Sequence, residues 1–211
     1  MILRLLICSY DALFVGLRCQ IIEKKNTTMT EEIIIAGFGG QGVLSMGQIL
    51  CYGGVMQNLE VSWMPSYGPE MRGGTANCTA IISDEEISSP VLSKFDTAIV
   101  LNQPSMDKFE KAVKPGGLLI YEVNGMTRKP ERTDINICII PAYETSVQMK
   151  NTKVFNMIVI GGFLHIKPII ELDNVIKGLK KVLPERYHNL IPLNEEAIRK
   201  GMEIIEFENK L

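Results

Sequence analysis

A chain of 211 residues has room for one α/β domain with a full core and is short for two. Hydrophobic residues at 46% and charged residues at 22% exclude a disordered chain. A formal net charge of −2 excludes a global positive field that would gather nucleic acid.

In chain order, Met1 to Ile22 holds an apolar run interrupted by Tyr10 and Asp11. It is too broken to span a membrane, and no small-residue cleavage site follows it. The expectation is that translation starts at Met29. Residues 1–28 then form an N-terminal extension, absent or disordered in the working protein, and residues 29–211 form the domain. Glu32-Ile-Ile-Ile-Ala36 is a β-branched run that reads as a buried strand. Gly37-Phe-Gly-Gly-Gln-Gly42 follows, and Val43 to Asn58 reads as a helix with Val43, Met46, Leu50 and Gly54 on one face. Val61 to Met64 is the expected second strand, and Pro65 to Gly74 an irregular loop. Thr75 to Ser83 alternates Ala76, Cys78, Ala80 and Ile82 with polar residues, which suits a strand antiparallel to its neighbours.

Asp96 to Leu101 is a further buried strand. Ser105 is expected to cap a helix running to Val113 and ended by Pro115-Gly-Gly, with strands at Leu118–Val123 and Ile135–Ile140. Thr152 to Leu164 reads as an apolar helix whose Gly161-Gly162 pair calls for a close contact, since each glycine costs about 1 kcal/mol of helix stability relative to alanine. The apolar run Val154–Ile166 is too short to cross a membrane. A helix from Asp173 ends before Pro184, with Lys177 to Arg186 as its solvated face. Asn194 is expected to cap a last amphipathic helix carrying Ile198, Met202 and Ile205. The fold class is α/β: a Rossmann-like layered domain with a mainly parallel sheet, helices packed on it and one antiparallel strand.

Cys8, Cys19, Cys51, Cys78 and Cys138 are widely spaced, without a C-x-x-C pair, so neither a zinc knuckle nor an iron–sulfur cluster can be drawn from them. They fit buried thiols in a reducing cytosol. His165 and His188 are lone histidines, read as packing or surface residues. Gly37-x-Gly39-x-x-Gly42 satisfies a dinucleotide fingerprint in the right strand–turn–helix setting. Its acidic complement is poor, because Glu60 opens the second strand rather than ending it. Three readings stay open: a nicotinamide site, a turn made only for tight packing, or a contact with an anion or a partner chain at the helix N-terminus. In the loop of Pro65 to Gly74, prolines and glycines fix the backbone and hold Glu70 and Arg72 in place. Arg72 either pairs with Glu70 at the surface or grips a carboxylate or phosphate.

Gly37-Phe-Gly-Gly-Gln-Gly-Val43 together with Tyr67-Gly-Pro-Glu-Met-Arg-Gly-Gly-Thr-Ala-Asn-Cys78 resembles the γ subunits of 2-oxoacid:ferredoxin oxidoreductases. Asn156-Met-Ile-Val-Ile-Gly-Gly162 is similar to that family's helix with an Asn-Met and small-residue motif. The resemblance runs from about Glu32 to Glu206. It implies a cytoplasmic, multi-subunit enzyme that oxidatively decarboxylates a 2-oxoacid, joins the acyl group to coenzyme A and passes electrons to ferredoxin. It further implies thiamine diphosphate with Mg between α and β subunits, and iron–sulfur clusters in cysteine-rich subunits. The implied partners are the α and β chains, with or without a δ chain, and ferredoxin through the complex, with no nucleic acid or membrane. 2-Oxoglutarate or a branched-chain oxoacid is favoured over pyruvate. No catalytic or metal-binding residue is expected in this chain. Gly37, Gly39, Gly40, Gln41, Gly42, Tyr67, Glu70, Arg72, Gly73, Gly74 and Asn156 are expected to meet the phosphates of coenzyme A or to dock onto the α and β chains. The rival expectations are a free-standing nicotinamide-dependent dehydrogenase and a pure assembly module.

Overall fold

The computed structural model describes residues 28–67 and 75–211. The strand expected at Glu32 is β1 (Thr30–Phe38), with Ile33, Ile34 and Ile35 buried. It leads through the glycine turn into α1 (Val43–Met56), which buries Val43, Met46, Leu50 and Gly54 as the periodicity requires. Next come β2 (Glu60–Tyr67) and β3 (Thr75–Ser83). Pro65 and Tyr67 thus belong to a strand rather than to the loop. β4 (Phe95–Val100) is followed by α2 (Gln103–Phe109). Its cap is Asn102, not Ser105: the Asn102 side chain accepts from the Ser105 N–H at 2.9 Å.

That helix ends well before Val113. A single 3-10 turn at Glu110–Ala112 follows it, and β5 (Val113–Glu122) begins at once. Pro115-Gly-Gly does not end a helix. It forms an irregularity inside β5, where the pairing with β4 jumps from Phe95↔Val113 to Thr97↔Leu118. Val123 lies beyond the strand, in a 3-10 turn. β6 (Asn136–Ile140) leads into α3 (Ala142–Gln148), a helix that periodicity did not announce. The apolar helix starts as a 3-10 turn at Thr152–Val154, capped by Asn151, and continues as α4 (Phe155–Ile166). Then come α5 (Leu172–Val182), α6 (Ile191–Ile204) and a short β7 (Glu206–Asn209). Asn194 sits inside α6 and donates back to the Leu190 carbonyl rather than capping the helix.

The sheet has seven strands in the order β2-β3-β1-β4-β5-β6-β7. β1, β4, β5 and β6 are parallel neighbours, and β2 points the same way because it is antiparallel to β3, itself antiparallel to β1. Two strands, β3 and β7, run against the rest, one more than expected. α1, α4, α5 and α6 cover one face around Ile33, Ile35, Ile99 and Ile120. α2 covers the other around Ile34, Ala36, Val100 and Tyr121. The connections leaving β1 and β4 therefore diverge to opposite faces, which opens a crevice at the C-terminal ends of the parallel strands.

Candidate functional site

The glycine turn stands at that end of the sheet. Phe38 closes β1, and the Gln41 amide folds back over Gly37, where Oε1 accepts from the Phe38 N–H at 2.6 Å. Gln41 Nε2 donates to the Leu101 carbonyl, at 3.4 Å, just past the end of β4. Gly42 has φ +78° and opens α1 with no capping side chain, so the first N–H groups of the helix face outward without a protein acceptor from the cap. A Cβ at Gly42 would lie 2.5 Å from Asn156 Nδ2. Asn156, in the first turn of α4, therefore packs directly on the start of α1.

Gly40, Gln41, Gly42 and Asn156 share a cleft of about 370 Å³ with Tyr143, Thr152, Lys153 and Phe155. The cleft joins an uncapped helix N-terminus, two amides, the hydroxyls of Thr152 and Tyr143, two aromatic rings and a cation. Lys153 is exposed and makes no ion pair among the described residues. Such a set can hold a phosphorylated, ring-bearing ligand: N–H groups and the ammonium meet the anion, and the rings offer stacking surface. Tyr143, Thr152, Lys153 and Phe155 were absent from the expectation. They are far from the turn in sequence: the unannounced helix α3 carries Tyr143, the 3-10 turn Thr152 and Lys153, and the start of α4 Phe155.

The second loop is rooted beside the first. Phe38 pairs with Thr75, and Gly37 and Tyr67 both pair with Ala76. Tyr67 and Thr75, the backbone positions that flank residues 68–74, therefore leave the sheet next to the glycine turn. Glu70, Arg72, Gly73 and Gly74 lie outside the described residues. Gly39 lies in the turn itself.

The acidic complement of a nicotinamide site is not formed by β2. Glu60 pairs with Ser83, which also pairs with Thr30, at the opposite end of the sheet from the glycine turn. β3 also separates β2 from β1, which puts β2 about 10 Å away across two strand spacings.

Among the described residues, no three His, Cys, Asp or Glu side chains gather as a metal site. Cys51, Cys78 and Cys138 are buried free thiols. Burial pushes each up to about 12, so they do not supply thiolates at neutral pH. This donor set does not fit an iron–sulfur cluster. His165 is exposed, and His188 Nε2 lies 3.0 Å from the Leu183 carbonyl in the connection between α5 and α6. Lys177, Lys180, Lys181 and Arg186 are exposed. No helix of the described residues is long and apolar enough to cross a membrane.

A family model described as pyruvate ferredoxin/flavodoxin oxidoreductase matches residues 32–204. The 2-oxoglutarate synthase subunit KorC of Methanocaldococcus jannaschii is 30% identical over 188 residues, covering 87% of this chain and 98% of that subunit. The ketoisovalerate oxidoreductase subunit VorA of Methanothermobacter thermautotrophicus is 39% identical over 127 residues, 60% of this chain. The match spans only 26% of that subunit's length. The γ subunit of a keto/oxoacid ferredoxin oxidoreductase from Geobacter sulfurreducens has the same fold, with a TM-score of 0.72 at 24% identity over 83% of this chain and 96% of its own.

Proposed function

Because this chain belongs to the pyruvate ferredoxin/flavodoxin oxidoreductase family, we propose that it is the γ-type subunit of a 2-oxoacid:ferredoxin oxidoreductase, and that its glycine-turn cleft helps to seat coenzyme A. The complex would decarboxylate a 2-oxoacid oxidatively, form the acyl-CoA and deliver electrons to ferredoxin. Full-length likeness to a 2-oxoglutarate synthase subunit and partial likeness to a ketoisovalerate subunit favour 2-oxoglutarate or a branched-chain oxoacid. Thiamine diphosphate and the iron–sulfur clusters belong to the other chains of the complex, as do the α and β partners' catalytic groups.

The observation that carries this reading is the cleft itself. An uncapped N-terminus of a 14-residue helix, the Lys153 ammonium and the Tyr143 and Phe155 rings meet where the second loop is rooted. Phosphate oxygens gain from both the helix N–H groups and the cation. The chain holds and orients; it performs no bond-breaking step of its own. That Glu70, Arg72, Gly73 and Gly74 also serve coenzyme A is part of this proposal.

Lys153→Ala in the reconstituted complex tests it. Losing one charge-assisted contact to phosphate is worth about 1.5–3 kcal/mol. The apparent KM for coenzyme A should rise roughly tenfold or more, with kcat and the KM for the oxoacid little changed. An unchanged KM for coenzyme A would remove the ligand role and leave assembly as the chain's only contribution.

A further inference from the structure

Helix α3 is amphipathic in the wrong sense for a surface helix of an isolated domain. The residues it buries are small or polar: Ala142, Thr145 and Ser146. Their hydroxyls are consumed locally, Thr145 Oγ1 donating to the Pro141 carbonyl at 2.8 Å and Ser146 Oγ to the Tyr143 carbonyl at 2.7 Å. The large apolar side chains point outward. Tyr143 is 52% exposed and Val147, one turn on, is 49% exposed. Single exposed apolar residues are ordinary, but an inverted helix face beside further exposed apolar groups is not.

The neighbours are apolar too. The buried carboxylate of Glu122 accepts from the Tyr143 N–H at 3.3 Å and from the Gly125 N–H at 2.9 Å. This ties the start of α3 to the turn that carries Val123, itself 38% exposed. Tyr143 also walls the cleft of Gly40 to Gly42, and Phe38, 39% exposed, precedes that turn. Glu144 and Gln148 supply polar positions on the outward side of α3. An apolar centre with a polar margin is the composition of a protein–protein contact.

We propose that the outer face of α3, centred on Tyr143 and Val147 with Val123 alongside, is the surface on which a larger oxidoreductase chain docks. Its occupant is the separate chain equivalent to the part of VorA-like relatives beyond this domain. In those relatives the matched segment is about a quarter of one polypeptide, so the rest of the molecule stays covalently beside it. In the KorC subunit, 98% of whose length is matched, the domain is a polypeptide of its own, so the same neighbour is held by contact, and the inverted helix supplies such a contact. This inference rests on the subunit reading above and adds the partner-facing surface of the same cleft.

The test is co-expression of the full chain with the larger 2-oxoacid oxidoreductase chain of its host, followed by affinity measurement on the purified proteins. Tyr143→Glu and Val147→Glu change exposed positions and should leave the melting temperature as in wild type. Each should weaken association by about tenfold or more, since each puts an unpaired carboxylate into the apolar centre of the contact. Tyr187→Glu, at an exposed tyrosine between α5 and α6, should leave it unchanged. Wild-type affinity in both α3 variants overturns the inference and leaves the subunit reading standing. Equal loss in Tyr187→Glu also overturns it. A concentration-dependent dimer of the isolated chain that Tyr143→Glu abolishes would assign the face to a second copy and overturn it as well. Should the wild-type chain itself fail to join the larger chain, the subunit reading falls, and this inference with it.

Discussion

Cys51 and Cys78 show how burial decides the chemistry of a residue. Cys51 lies on α1 and Cys78 on β3, both facing the core, with their thiols donating to the Ser62 and Val43 carbonyls at 3.4 Å. Desolvation raises both, and Cys138, from 9.0 to about 12. The folded chain therefore keeps three protons that the unfolded chain releases above about pH 9. Stability should fall as pH rises from about 9 towards 12, with no contribution from these three thiols below that window. A denaturation series across this range checks the sign. At pH 8 the three thiols should resist alkylation in the native protein and react fully in denaturant. The reading of buried thiols is met at these three positions, while Cys8 and Cys19 lie outside the described residues. Lys153 was not readable: nothing in Asn-Thr-Lys-Val marks one lysine among many, and its value comes from the fold that sets it against Gly42.

At the level of elements, long apolar segments were read well and short or polar ones were not. β1 and α1 announced themselves through period and burial. α3 did not, because Ala-Tyr-Glu-Thr-Ser-Val-Gln has no apolar stripe on its inward side. β7 is four residues, Glu-Phe-Glu-Asn, held as an edge strand on β6 by Tyr121 bonding Glu208 at 2.5 Å and by the Lys129–Glu208 ion pair. Neither partner is local. The glycines of the apolar helix were read correctly as a close-contact signal, and the contact is reciprocal. Gly161 of α4 lies against the Ile198 carbonyl of α6, and Gly201 of α6 against the Ile158 carbonyl of α4. A methyl group on either would meet backbone, which cannot swing away. Gly161→Ala or Gly201→Ala should therefore destabilise by about 3 kcal/mol, although alanine favours a helix in isolation. Urea denaturation of the two variants measures it. A gain in stability would mean that the two helices are free to separate.

For the whole molecule, the parallel core was legible and the arrangement around it was not. A strand–turn–helix–strand opening suggests adjacent parallel strands, yet β3 is inserted between β1 and β2. Sequence order cannot reveal that insertion, because the hairpin β2–β3 folds back across a position left vacant by the crossover. Amide exchange should be slowest in Ile33–Ala36 and Ala98–Val100, which are central, paired on both sides and buried. Among the strands it should be fastest in β7, an edge strand of only four residues. Rapid exchange in β1 would contradict the register.

The inserted strand has a mechanical consequence. β3 is laced to β1 by nine residue pairs and to β2 by eight, so the roots of both turns sit on one stiff plate of three strands. Force applied at either turn spreads through the hydrogen-bonded lattice instead of bending a joint. Any displacement of either root must then move the three strands together, as one plate, rather than one turn alone.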